Sequence, residues 1–369
     1  MSDGQSPLEA EIRRRIAAAG PMPVGQYMNL CLTHPKHGYY VTRDALGAAG
    51  DFITAPEISQ MFGELIGLWA ASVWRQMGAP EQVRLVELGP GRGTMLLDAL
   101  RAAHVVPGFQ AALAVHLVEI NSVFEQRQRQ ALGGIGVQAE WHRSLDEVPD
   151  GPMIILANEF FDALPVLQAV MCADGWHERV VRIGEDGKLQ FGHARDPLPL
   201  FDQMLPPAVR DARIGEIFEW RADQIALEIG RRVVRSHGAA LVIDYGHIKS
   251  ATGDTLQAMR AHDYASPLFA PGLIDLTAHV DFEALAQAAE SMGARTHGPI
   301  DQAAFLRNLG IVERAEALKK GAPLAKIAEI DGALARLTSE DRTGMGRMFK
   351  VVGFAPEKLG PLPGFSTTE

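Results

Sequence analysis

Polar and apolar positions alternate along this chain in blocks that predict a layered α/β protein. Short apolar runs of strand type occupy residues 83–88, 114–119, about 137–142, 153–157 and 239–245, each ending in polar or turn residues. Between them the apolar positions recur at helical spacing, as in Met95, Leu96, Leu97, Ala99 and Leu100 of a helix over 94–103, and again over about 121–131. Strands that alternate with helices predict a doubly wound, parallel sheet with right-handed crossovers. Ahead of this core, Leu8, Ile12 and Ile16 mark a short helix closed by Gly20-Pro21. Residues 23–32 read as a second short helix. A third, over 57–77, has the broad face Ile58, Phe62, Leu65, Ile66, Trp69 and Val73 and reads as a packing helix.

From residue 166 to about 193 the period drops to two, with turns at Ala173-Asp174-Gly175 and at 184–187, so a β-meander is inserted after the fourth strand. A Pro-rich linker at 197–207, a helix over about 215–236, a strand from Thr255 to Met259, helices over 280–291 and 301–338, and a final strand from Met348 to Phe354 complete the expected order. The expected domains are N-terminal helices and lid (1–78), core (79–165), inserted meander (166–210), second core part (211–300), helical cap (301–340), and final strand and tail (341–369). The turn-rich segment with Tyr39, Tyr40 and Phe52 fits either a lid or a satellite core under a long loop.

Composition narrows the function classes. The 369 residues are 47% hydrophobic and 22% charged, as in an ordinary globular protein. A net charge of −10 disfavours nucleic-acid binding, and Arg13, Arg14 and Arg15 read as one solvated helix face. The cysteines, Cys31 and Cys172, make no disulfide framework, and His34, His37 and His262 lack ligand spacing, so no metal site is expected. No apolar run has membrane-spanning length, and no signal or transit pattern opens the chain. Membrane insertion is therefore not expected, and the expected location is cytoplasmic.

Two constellations carry chemistry. The first is Glu87-Leu88-Gly89-Pro90-Gly91-Arg92-Gly93-Thr94, a strand, a glycine turn and a helix start. Glycines let the backbone turn sharply and let a ligand lie against it. A carboxylate before the glycines repels a pyrophosphate but suits an ammonium, and Glu119 at the second strand tip suits ribose hydroxyls. S-adenosylmethionine (SAM) has both groups and no phosphate. The second is Asn158-Glu159-Phe160-Phe161-Asp162, where strand four leaves the sheet. Its carboxylates could clamp a guanidinium and accept charge as a proton leaves. They could equally be the first-turn acids of a helix.

With Gly50-Asp51-Phe52-Ile53-Thr54-Ala55-Pro56-Glu57-Ile58-Ser59-Gln60 and Asp275-Leu276-Thr277-Ala278-His279-Val280-Asp281-Phe282, these motifs resemble the MidA-like SAM-dependent methyltransferases. That family includes a mitochondrial complex I assembly factor with protein arginine methyltransferase activity. The resemblance implies a class I SAM-methyltransferase (Rossmann-like) core. It also implies a protein substrate, and a complex I subunit at least for the mitochondrial member. The implied cofactor set is Thr54, Pro56, Glu57, Glu87, Gly89, Pro90, Gly91, Gly93, Glu119, Ser144, Leu145 and Asn158. Asn158, Glu159 and Asp162 would face the acceptor. Rival readings are the same enzyme with another acceptor, or a non-catalytic assembly factor that keeps the fold for binding. A nicotinamide oxidoreductase is disfavoured by the glycine spacing. The oligomeric state is left open.

Overall fold

The computed structural model of the chain describes residues 6–42, 54–260 and 263–365. The chain divides into two compact units. One gathers Met1–Phe52, Asp162–Ala222 and Lys249–Asp281; the other gathers Ile53–Phe161, Asp223–Ile248 and Phe282–Glu369.

The second unit is the α/β core. Its strands lie in the order Arg295–Asp301, Phe349–Ala355, Ala239–His247, Met153–Asn158, Val83–Leu88, Leu113–Val118, Ala139–His142. The last five are mutually parallel. Phe349–Ala355 runs antiparallel to both of its neighbours. This is the class I methyltransferase sheet expected from the sequence. The central strand Met153–Asn158 is apolar up to its last residue because both of its faces are covered: Met153, Ile154, Ile155, Leu156 and Ala157 are all buried. The strand order reverses between Val83–Leu88 and Met153–Asn158, and ligands of open α/β sheets bind beyond the carboxyl ends of such strands.

The helix Gln60–Gln76 packs against Thr94–Ala103 with backbone-close contact. A Cβ on Gly67 would stand 2.3 Å from the Ala99 carbonyl oxygen, and one on Gly63 would stand 2.8 Å from that of Met95. The predicted helix over 301–338 is three helices, Gln302–Asn308, Ile311–Lys319 and Leu324–Thr338, broken at Gly310 and at Gly321 to Pro323.

The first unit is largely antiparallel. Gly175–Ile183 pairs with Met22–Pro23, Leu167–Cys172 and Leu189–Pro197, and Leu167–Cys172 also pairs with Ile217–Trp220. Two expectations are corrected here. Residues 217–220 form a strand rather than the start of a long helix, because Phe218 and Trp220 sit in sheet register against Ala169 and Leu167. The Pro-rich stretch is not a linker, since Phe201, Leu205 and Val209 are buried with Trp176 and Phe218. Tyr39 is fully buried with Leu8, Tyr27 and Cys31, which is the satellite core and not a lid. Phe52, Ile53 and His262, also invoked above, lie outside the described residues.

Gly67→Val should destabilise the fold by about 1–3 kcal/mol in chemical denaturation, since the added atoms meet backbone rather than a movable side chain. Gly332→Ala in the helix Leu324–Thr338, where a Cβ meets nothing within 4 Å, should instead stabilise it by about 0.5–1 kcal/mol. Equal effects of the two would contradict the close packing.

Candidate cofactor site

Strand register assembles the site. Leu88 lies opposite Val118 on one side and Ala157 on the other, so the next row carries Gly89, Glu119 and Asn158. Gly89, Gly91 and Gly93 have φ of 62°, 54° and 80°, a region L side chains rarely enter. Gly89 also lies beneath a ring, for a Cβ there would be 2.9 Å from Phe160.

Glu87 is 3% exposed, and its Oε2 has no hydrogen-bond partner among the described residues. Burial, reinforced by the charge on Glu119, pushes its carboxyl up to about 8. Asn158 Oδ1 is likewise buried and without a partner among the described residues. Glu119 Oε1 accepts from the Asn121 N–H at 2.7 Å and Oε2 from the Gln128 amide at 3.3 Å. Burial still pushes Glu119 up to about 7 against those donors. Buried acceptors that lack donors, beside a glycine turn with no side chains, call for a ligand that brings donors and positive charge. SAM fits: Glu87 would hold its ammonium and Glu119 its ribose hydroxyls. Ser144 and Leu145 follow the strand Ala139–His142, whose last carbonyl accepts from the Glu119 N–H at 3.0 Å, so they border the same end.

The segment before the core joins this rim. Glu57 Oε1 accepts from the Thr94 hydroxyl at 2.7 Å. Glu159 Oε1 accepts from the Ala55 N–H at 3.0 Å and the Asn158 amide at 3.2 Å. Thr54 and Pro56 open the short helix Ala55–Ile58, with Pro56 buried. Asp162, the third acceptor-side residue of the sequence reading, falls in the other unit. It begins a segment of the first unit, where its carbonyl accepts from the Ala278 N–H at 3.1 Å.

Sequence reasoning missed two residues. Gln128 is fully buried and donates to the Gly91 carbonyl at 2.6 Å and to Glu119, while its oxygen accepts from Trp141 at 2.8 Å. The signal was present: Gln128 shares the inward stripe Phe124, Gln128, Leu132 of an otherwise polar helix. Asp244 Oδ2 accepts from the N–H groups of Phe160 (3.2 Å) and Phe161 (2.9 Å). It thereby holds the turn in which Glu159 has φ of 50°.

Sheet order, glycine turn and paired strand-tip carboxylates define a SAM-binding protein of the class I methyltransferase type. Residues 65–300 match the model of a family described as "Putative S-adenosyl-L-methionine-dependent methyltransferase". The mitochondrial protein arginine methyltransferase NDUFAF7 homolog of Drosophila melanogaster is 35% identical, over 98% of this chain and 89% of its own length. The mitochondrial protein arginine methyltransferase NDUFAF7 of Danio rerio is 39% identical, over 82% of this chain and 76% of its own. A "likely methyl transferase" from Burkholderia thailandensis, crystallised with S-adenosyl-homocysteine, superposes with a TM-score of 0.86 at 29% identity, covering 97% of this chain and 94% of that one. The chain belongs to this SAM-dependent methyltransferase family, the MidA-like one, and is a SAM-dependent methyltransferase. The cytoplasmic location expected above is corrected: these relatives are named mitochondrial. Composition and folded structure carry no record of an address, which resides in a detachable segment.

Both carboxyls sit above the ordinary glutamate value of 4.5, so the fold retains their protons longer than the unfolded chain does, and stability falls as pH rises from about 4.5 until it levels off above about 7 to 8. Glu87→Gln should therefore match wild type in ligand-free Tm at about pH 4 and exceed it at about pH 8.5. The same change should weaken SAM binding roughly 10- to 150-fold by calorimetry, the value of about 1.5–3 kcal/mol for a hydrogen bond to a charged group. A lower Tm at high pH, or undiminished SAM affinity, would remove Glu87 from this role. Asp244→Ala should cost about 1–3 kcal/mol of stability and weaken SAM binding by releasing the Asn158 to Phe161 turn. Unchanged affinity in a folded variant would contradict the positioning role.

Proposed function

We propose that this enzyme transfers methyl groups from SAM to arginine of a protein substrate. The observation that carries the acceptor is a cavity of about 320 Å³ beside the cofactor helix, lined by Glu57, Thr94, Asp98, Lys326 and Glu329 among others. Three carboxylates line it, with Glu329 paired to Lys326 at 2.8 Å and Asp98 to Arg101. Burial pushes the Asp98 carboxyl up to about 6, and an arriving cation would restore its charge. A guanidinium stays protonated in water, so its methylation requires acceptors that hold it and take charge as a proton leaves.

Bound SAM supplies an electrophilic methyl carbon. The protein's part is to orient the acceptor and exclude water. Glu57 is shared between the cavity wall and Thr94, the first helix residue after the glycine turn, so acceptor and cofactor determinants adjoin. Asn158 and Glu159 are the acceptor-side polar residues of this proposal. The names of the relatives support arginine as the target. A respiratory complex I subunit, implied by the family resemblance, is our candidate for the protein that bears it.

The test is methyl-labelled SAM with mitochondrial membrane protein from cells lacking this activity, followed by peptide mass spectrometry. Label on arginine is expected. Glu329→Lys should raise KM for the arginine substrate roughly tenfold, an amount typical of one lost ionic contact, with SAM affinity unchanged. Label confined to another residue type or to a small molecule would overturn the arginine acceptor. An unchanged KM would remove the cavity from it.

A further inference from the structure

The β-meander of the first unit brings together three residues with no part in methyl transfer. Cys172 lies opposite Gly175 in the ladder, His177 follows Gly175 by two residues, and Arg179, two further on, lies opposite His193. Because side chains alternate along a strand, Cys172, His177 and His193 share one sheet face. Their thiol and one nitrogen of each imidazole all lie within 4.8 Å of one another.

The hydrogen bonds prepare these rings for a cation. Nδ1 of His177 and Nδ1 of His193 each lie 2.9 Å from the Ala194 carbonyl oxygen, which can only accept. Both Nδ1 atoms are therefore donors, which leaves the Nε2 atoms as the ligand nitrogens. A backbone carbonyl behind Nδ1 is the usual support of a metal-binding histidine. The carbonyl is placed there by an irregularity of register between His177 and Arg179. His177 Nε2 lies 2.9 Å from Asp174 Oδ1, so without a metal the ring is an imidazolium that donates there; a metal ion would take the place of that proton, with Asp174 at hand as an oxygen ligand. His177 is 2% exposed, whereas Asp174 and His193 are exposed and give a path of entry. The nearby cation on this face, Arg179, is turned to Asp254 at 2.8 Å and lies over the Phe191 ring.

We propose that Cys172, His177 and His193 form a binding site for a zinc-class divalent ion, with Asp174 or water in the fourth position. Nitrogen and thiolate donors in this proportion suit zinc, at bond lengths of about 2.0–2.3 Å reached by modest side-chain rotation. Binding replaces the Cys172 S–H bond and the His177 Nε2–H bond by bonds to the metal and releases two protons to solvent. The ion would tie the hairpin at Cys172–Gly175 to the strand Leu189–Pro197.

The test is titration of the chelator-treated full chain with Co²⁺, then competition by Zn²⁺. A single equivalent with thiolate-to-cobalt charge-transfer absorption is expected, displaced by zinc with a dissociation constant on the order of 1 µM or tighter. Cys172→Ser should abolish that absorption, and His193→Ala should keep it but weaken binding roughly 100-fold. The band is diagnostic, because Cys31 is fully buried and the other histidine cluster, His116, Glu140 and His142, has no sulfur. Absence of the band, or its survival in Cys172→Ser, would overturn the proposal. SAM titration of the same samples reports folding independently of the metal.

Discussion

Two carboxylates buried at the tips of adjacent parallel strands set the terms for the rest of the core. Glu87 and Glu119 lie in a sheet covered on both faces, and each is pushed toward its neutral form by burial. Such a pair is unfavourable without a cation, and the surrounding structure keeps it from relaxing. The glycine turn denies it alternative partners. Gln128 ties the turn to Glu119, and Trp141 holds Gln128 in place. The large core beneath, with Trp69, Phe62 and Phe109, supplies the stability that lets this pair persist.

The acceptor rim depends on a second constraint of the same kind. Glu159 occupies a left-handed conformation that a glutamate enters only when its surroundings over-determine it. Asp244, on the neighbouring strand, supplies that determination through the N–H groups of Phe160 and Phe161. Asn158 then stays in register beside Gly89, and Phe160 can lie over the glycine. One buried aspartate thus connects the fifth parallel strand to the geometry of the first and fourth.

The part of this arrangement written in local sequence was legible. A strand, a glycine turn and a helix are consecutive, so Glu87 and the glycines could be placed directly, and Glu119 followed from the next apolar run. Residues whose meaning comes from register were not. Asp244 was visible as an acid after a strand, but its partners lie more than eighty residues earlier. Cys172, His177 and His193 sit on three strands with a register irregularity between them, and no linear spacing reveals that they converge. Ile217–Trp220 was absorbed into a helical reading because its aromatic residues acquire a strand's purpose only beside Leu167–Val170.

Affinity and rate are separable in this architecture. S-adenosyl-homocysteine keeps the ammonium and ribose of SAM, and the Burkholderia thailandensis relative was crystallised with it. Carboxylates at positions 87 and 119 would therefore hold donor and spent cofactor nearly alike, which sets occupancy without lowering the barrier. Discrimination must come from groups that respond to the sulfonium charge or to the acceptor. Under the proposed function, those would be Asn158 and Glu159 at the rim and the acids of the neighbouring cavity. The deeply buried pair would thus be the conservative part of the enzyme. The less buried acids Glu57 and Glu329, whose charge can change with little effect on the sheet, would be where acceptor choice is written.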